Sequence, residues 1–203
     1  MVADIVTRLA DADPNISGLA LGELVEQGSA AIPTLLQALR SDQVGARRLA
    51  MEGLGDIGDA AAVDEARAGL DDSDGQVRSL AAVALARMGD PGALEALAHT
   101  LDDWPDLLHS EMSRSAYELP RLGPPALTVA IPLLASDDAD DRAKGIWIAR
   151  AVLDQSVVPD GAELGMILAR FDPGGQAEAR ASAAAAAAGW LCSSGLAACR
   201  DRP

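Results

Sequence analysis

Six side chains in this 203-residue chain have the type and spacing to grip a ligand: Trp104, His109, Arg114, Tyr117, Trp147 and Arg150. Arg114 and Tyr117 are three residues apart, as are Trp147 and Arg150, so on a helix each pair shares a face. Guanidinium groups beside aromatic rings suit an anionic or π-rich ligand, or a peptide bearing either. The four could equally form a surface cation–π cluster that fills a wide groove. With one Tyr, one Phe and three Trp in the whole chain, such a gathering stands out from an Ala-rich background.

Other chemistries find less support. His99 and His109 have Asp102, Asp103 and Glu111 nearby, but no third nitrogen or thiolate completes a metal set, so no metal is expected. Ser, His and acidic residues near His109 lack a nucleophile elbow and an oxyanion glycine pattern. No phosphate-binding loop or dinucleotide fingerprint occurs, and Asp172-Pro173-Gly174-Gly175 reads as a turn and helix cap. No cofactor is expected, and whether the chain is an enzyme is left open; if it is, a small-molecule lyase or cyclase chemistry fits. Cys192 and Cys199 are expected as free thiols, since CxxxxxxC is a poor metal signature.

Charge narrows the partners. The formal net charge is −15 with a sequence pI near 4.3. A polyanion repels phosphate backbones and anionic headgroups, which disfavours nucleic acid and membrane surfaces and favours a partner with a basic patch. MVADIVTRLADAD lacks a basic segment followed by an apolar core, so no signal peptide is expected. No apolar run is long enough to span a membrane, and a cytoplasmic location is expected.

The elements that must position these residues come from a repeat. Leucines recur at Leu9, Leu39, Leu70, Leu101 and Leu134, and Gly28, Gly58 and Gly89 each follow their leucine by nineteen residues. Leu49, Leu54 and Ile57, then Leu80, Leu85 and Met88, lay one apolar stripe along a helix in each copy. Ser73-Asp74-Gly75-Gln76 signals a helix start. Asp90-Pro91, Gly123-Pro124 and Pro159-Asp160 do the same for the preceding helices. A helix pair cannot bury its stripe alone, so neighbours must stack.

The segment DDSDGQVRSLAAVALARMGDPGALEAL (71–97) resembles the HEAT repeat. More narrowly it is similar to the HEAT-like repeat of phycobilisome bilin lyases. The resemblance rests on the acidic turn, Val77-Arg78, the A-x-A-L core and the closing Gly-Asp-Pro. It covers residues 9–153 well and 154–191 loosely. Arg47 and Arg142 recur at the Arg78 position; the resemblance implies a structural role, usually tied to an acidic turn residue, and each of the three should meet acidic or carbonyl groups at a hairpin turn. It is nearly silent on function, because HEAT arrays serve as scaffolds, lyases, hydroxylases and DNA glycosylases. The iron-binding hydroxylases of this type carry paired His-Glu dipeptides, which are absent here.

The expected fold is all-α, a right-handed solenoid of about six antiparallel helix pairs over 1–191, with 192–203 as a tail. First helices are predicted near 2–10, 30–40, 60–70, 92–101, 125–135 and 161–170. Second helices are predicted near 14–27, 43–57, 75–88, 106–119, 139–153 and 176–191. The fourth unit departs from the pattern: it is three residues longer, His109 stands where the arginine recurs, and Pro120 should break its helix. Leu108, Met112, Ala116 and Leu119 should face the core there. Stacking should then bring Arg114 beside Trp147 and Tyr117 beside Arg150 on the concave side. Aspartates such as Asp42, Asp72, Asp74, Asp103, Asp138 and Asp172 fall in the turns, giving an anionic ridge or a set of helix caps. The leading expectation is a non-catalytic module binding a protein or peptide. The alternative is a small-molecule enzyme or lyase-type chaperone with a pocket at Arg114, Tyr117 and Trp147. An alkylbase DNA glycosylase is the third, counted against by the charge.

Overall fold

The computed structural model describes residues 2–103 and 112–197. These form twelve α-helices with short 3-10 turns and no strand among the described residues. Its contacts in space divide it after Ser115 into two compact units, 1–115 and 116–203. Each is a piece of an α-solenoid built from antiparallel helix hairpins.

In the first unit α1 (Val2–Leu9) pairs with α2 (Pro14–Glu26), α3 (Ile32–Ala38) with α4 (Val44–Ile57), and α5 (Val63–Gly69) with α6 (Gly75–Arg87). Then come α7 (Ala93–His99) and the start of α8 (Arg114–Glu118). The second helices stack, α2 on α4 and α4 on α6. Aspartates begin α2 and α6: the Asp13 side chain accepts from Asn15 N, and that of Asp74 from Val77 N, whereas α4 follows Gln43 without a side-chain cap. Each such cap satisfies an amide that the helix itself leaves open. Gly58 closes α4 in the left-handed region at φ 66°, a conformation costly for a residue with a Cβ.

Small side chains set the stacking distance. A Cβ on Gly55 of α4 would lie 3.2 Å from Cα of Ala84 on α6. Ala81, Ala82 and Ala84 are fully buried, as are Leu54, Leu85 and Leu97. Of the recurring leucines, Leu9, Leu101 and Leu134 are buried while Leu39 and Leu70 are half-buried.

The second unit holds α9 (Leu127–Leu133), α10 (Ala139–Gln155), α11 (Gly161–Ala169) and α12 (Ala177–Ser193). Here α10 packs on α9 and α11, and α12 packs on both α9 and α11. A Cβ on Gly145 would stand 2.6 Å from the Ala130 carbonyl, so glycine is what lets α10 lie this close to α9.

The fourth second-helix was expected over 106–119. Residues 104–111 lie outside the described residues, Met112 and Ser113 are not helical, and α8 begins at Arg114. A 3-10 turn, Leu119–Leu122, follows, with Pro120 in its first positions where a missing N–H is harmless. Ala116 and Leu119 are fully buried and Met112 half-buried. Leu108 lies outside the described residues. One expectation is corrected at the C-terminus: Cys192 is disulfide-bonded rather than a free thiol. The spacing of two cysteines does not encode their pairing, and Cys199 lies outside the described residues.

Candidate functional site

The arginine that recurs at the start of the second helix sits between successive turns. Arg47 donates through Nε and Nη2 to both carboxylate oxygens of Asp72, at 2.9 and 3.0 Å, and through Nη1 to the Ser41 carbonyl at 3.0 Å. Arg78 repeats the arrangement with Asp103, at 2.8 and 2.5 Å, and with the Asp72 carbonyl at 2.9 Å. Each thus bonds the turn before its own helix and the turn of the next unit. Arg142, 5% exposed, keeps the geometry but among the described residues meets only carbonyls: Ser136 at 2.8 Å, Asp137 at 2.7 Å and Pro173 at 2.9 Å.

A second fork was not foreseen. Arg48 donates to both oxygens of Asp74, at 2.8 and 2.5 Å, so the cap of α6 is also an ion-pair partner. Hydrogen bonds from Arg47 and Arg48 hold the Asp72 and Asp74 carboxyls below the ordinary range, and the same bonds raise the arginines. Arg78 is raised likewise by Asp103.

Much of the acidic ridge is therefore engaged. Asp72, Asp74 and Asp103 answer arginines; Asp13 and Asp138 cap helices; Asp172 accepts from Gly174 N within its own turn. These bonds neutralise or orient the carboxylates that a basic partner would otherwise meet.

The predicted ligand residues divide between the units. Arg114 belongs to the first, where it reaches 62 residues back to Glu52 of α4 and donates to its Oε1 at 2.8 Å. In the second unit Tyr117 was expected beside Arg150. It meets Trp147 edge-on, with ring centroids 5.0 Å apart and planes at 79°. Trp147 and Arg150 are less than one turn apart on α10, so a small rotation decides which of them faces Tyr117. Tyr117 is 47% exposed and Trp147 half-buried. Arg150 is exposed and donates through Nη2 to the Leu168 carbonyl at 3.1 Å. Trp104 and His109 lie outside the described residues.

His99 approaches Glu95 at 3.7 Å on an exposed face of α7. Among the described residues no three His, Cys, Asp or Glu side chains gather to hold a metal. A cavity of about 470 Å³ between α5 and α7 is edged by Arg67, Asp90 and His99. Its charges are mutually committed, since Arg67 meets Asp90 at 2.5 Å. No helix among the described residues is long and apolar enough to cross a membrane.

Comparison with known proteins places this geometry in context. No curated protein matches. Among solved structures, an engineered protein is 18% identical, with 96% of this chain and 97% of that one covered, at a TM-score of 0.45. The complex of CpcE and CpcF of phycocyanin lyase from Nostoc sp. PCC7120 is 22% identical, with 91% and 97% covered, at a TM-score of 0.38. HEAT repeats match residues 2–74 and 32–115, more than half of the sequence and the part in which the arginine–aspartate forks recur. The chain belongs to the HEAT-repeat family.

Proposed function

We infer that the protein is a non-catalytic binding module that holds a segment of another protein against its second unit, with Tyr117 and Trp147 as the anchor. The observation that carries this reading is the half-exposed Tyr117 ring standing edge-on to Trp147. Aromatic side chains are sparse in this chain and are the types that dominate binding energy at interfaces. The net charge of −15 favours a basic segment as the partner, by steering its approach. HEAT repeats commonly serve such a role.

The test is capture of partners from the source cell by the full chain and by a Tyr117→Ala, Trp147→Ala double variant. Partners should be retained by the parent and lost by the variant, with helical content unchanged. Equal capture by both would move the function to the acidic turns.

A further inference from the structure

A cavity of about 700 Å³ opens between the C-terminal half of α10 and α11 in the second unit. Its wall along α11 is made of small residues: Gly161, Ala162, Gly165 and Ala169. A Cβ on Gly165 would meet nothing within 4 Å, so the space runs up to the helix backbone. Leu153, Val158 and Leu168 add apolar surface. At the lip Val157 is 95% exposed, a large apolar side chain in water.

The loop forming that lip has a second peculiarity. Asp160 lies at φ 53°, ψ 22°, the one non-glycine residue in the left-handed region among the described residues. Such a conformation costs on the order of 1 kcal/mol and persists only where its surroundings hold it. Here Trp190 of α12 holds it, donating through Nε1 to the Asp160 carbonyl at 3.1 Å. The lip is therefore pinned rather than merely irregular.

One cation faces this apolar space. Arg150 lines the cavity and gives one donor to the Leu168 carbonyl. A guanidinium has five N–H donors, and among the described residues Arg150 meets no carboxylate. Within the second unit Arg121 pairs with Glu118, and Arg142 and Arg180 are spent on backbone carbonyls; Arg150 is the one whose remaining donors lie along this cavity.

We propose that this cavity binds a monocarboxylate carried on an apolar chain, its carboxylate on the open donors of Arg150 and its tail along the Gly161–Gly165 wall. A single guanidinium matches a single carboxylate fork to fork. A dianion is disfavoured by Asp154 on the same lining and by the overall negative field. The apolar walls reject a small hydrophilic acid, which would gain nothing from them. The site does not depend on the peptide-binding reading and shares neither Tyr117 nor Trp147 with it.

The experiment is calorimetric titration of the full chain with octanoate and, separately, octanol. Octanoate should bind with a dissociation constant on the order of 1 mM or below, and octanol about tenfold more weakly. Arg150→Gln should weaken octanoate about tenfold and leave octanol unchanged. Gly165→Leu should abolish both, because its side chain enters open space and fills the wall. A Cβ at this helical position meets nothing within 4 Å, unchanged helical content of the variant checks its fold, and it should keep protein partners that need Tyr117 and Trp147. A short peptide ending in leucine, offered with a free or an amidated C-terminus, distinguishes a chain terminus from a free acid as the source of the carboxylate. Equal affinity for octanoate and octanol, octanoate binding untouched by Gly165→Leu, or no binding of octanoate by about 10 mM would overturn the proposal.

Discussion

Arg78 clasps both carboxylate oxygens of Asp103, 25 residues ahead, while its third nitrogen bonds the Asp72 carbonyl behind it. One side chain thus spans two successive turns. Its loss leaves a partly buried carboxylate and a backbone carbonyl without their donor. Arg78→Ala should lower stability by about 1 kcal/mol in a denaturant melt, with partner binding retained. Full stability with lost binding would place Arg78 in the interface instead.

Arg142 offers a contrast at the equivalent position. Its three partners are carbonyls, so its contribution is a matter of hydrogen bonding at a buried site rather than of paired charges. Arg142→Ala should cost about 2 kcal/mol, more than the Arg78 change. Raising NaCl to about 1 M should shrink the Arg78 effect and leave the Arg142 effect in place. Melts of the two variants at both salt levels check this, and equal salt sensitivity would refute the distinction.

Acid should weaken the first unit in a defined window. Asp72 and Asp74 have carboxyls depressed in the folded state by Arg47 and Arg48. A depressed carboxyl contributes stability that is fully present above its unfolded pKa of about 3.9 and is lost as pH falls through the lower folded value. The raised arginines contribute below their unfolded values and lose nothing across that range. Stability should be flat near neutrality and fall below about pH 4. Asp72→Asn with Asp74→Asn should flatten that fall, since asparagine keeps the cap at position 74. Denaturation midpoints measured between about pH 3 and 7 test this.

The repeat made much of this architecture legible. Turn aspartates and closing glycines such as Gly58 bound helices by backbone rules that act locally, so most helix limits could be read within a residue or two. Arg47, Arg78 and Arg142 stand out in the sequence because they recur. The Arg48–Asp74 fork was not, because a charged residue on a helix face does not announce its partner 26 residues away. The Leu168 carbonyl that receives Arg150 was equally hidden, since backbone acceptors carry no residue-type signal. Tyr117 met Trp147 rather than Arg150 because the fourth unit lacks the leader-to-helix spacing of its neighbours, and α8 starts late, at Arg114. An apolar stripe constrains which side of a helix is buried, but not its rotation to within one residue.

Glycine substitutions should separate two uses of small residues. Gly145→Ala would set a Cβ 2.6 Å from the Ala130 carbonyl and 2.9 Å from Cβ of Leu133, forcing α10 away from α9. It should destabilise the protein by about 2 kcal/mol despite the gain in helix propensity. Gly22→Ala on α2 meets nothing within 4 Å and should stabilise by about 1 kcal/mol. Opposite shifts in melting temperature are the expected signature. A stabilising Gly145→Ala would mean the two helices can part freely.

Asp72 receives Arg47 from the unit before it, and Arg78, six residues on, reaches Asp103 in the unit after it. A single unit therefore carries both halves of the same fastening, one to be gripped and one to grip. A duplicated unit of this kind would arrive already matched to the copy on either side, with no compensating change elsewhere. Such an array can lengthen or shorten by whole units through recombination and keep its joints. The place where it stops doing so is set by the first copy whose fastening has been altered.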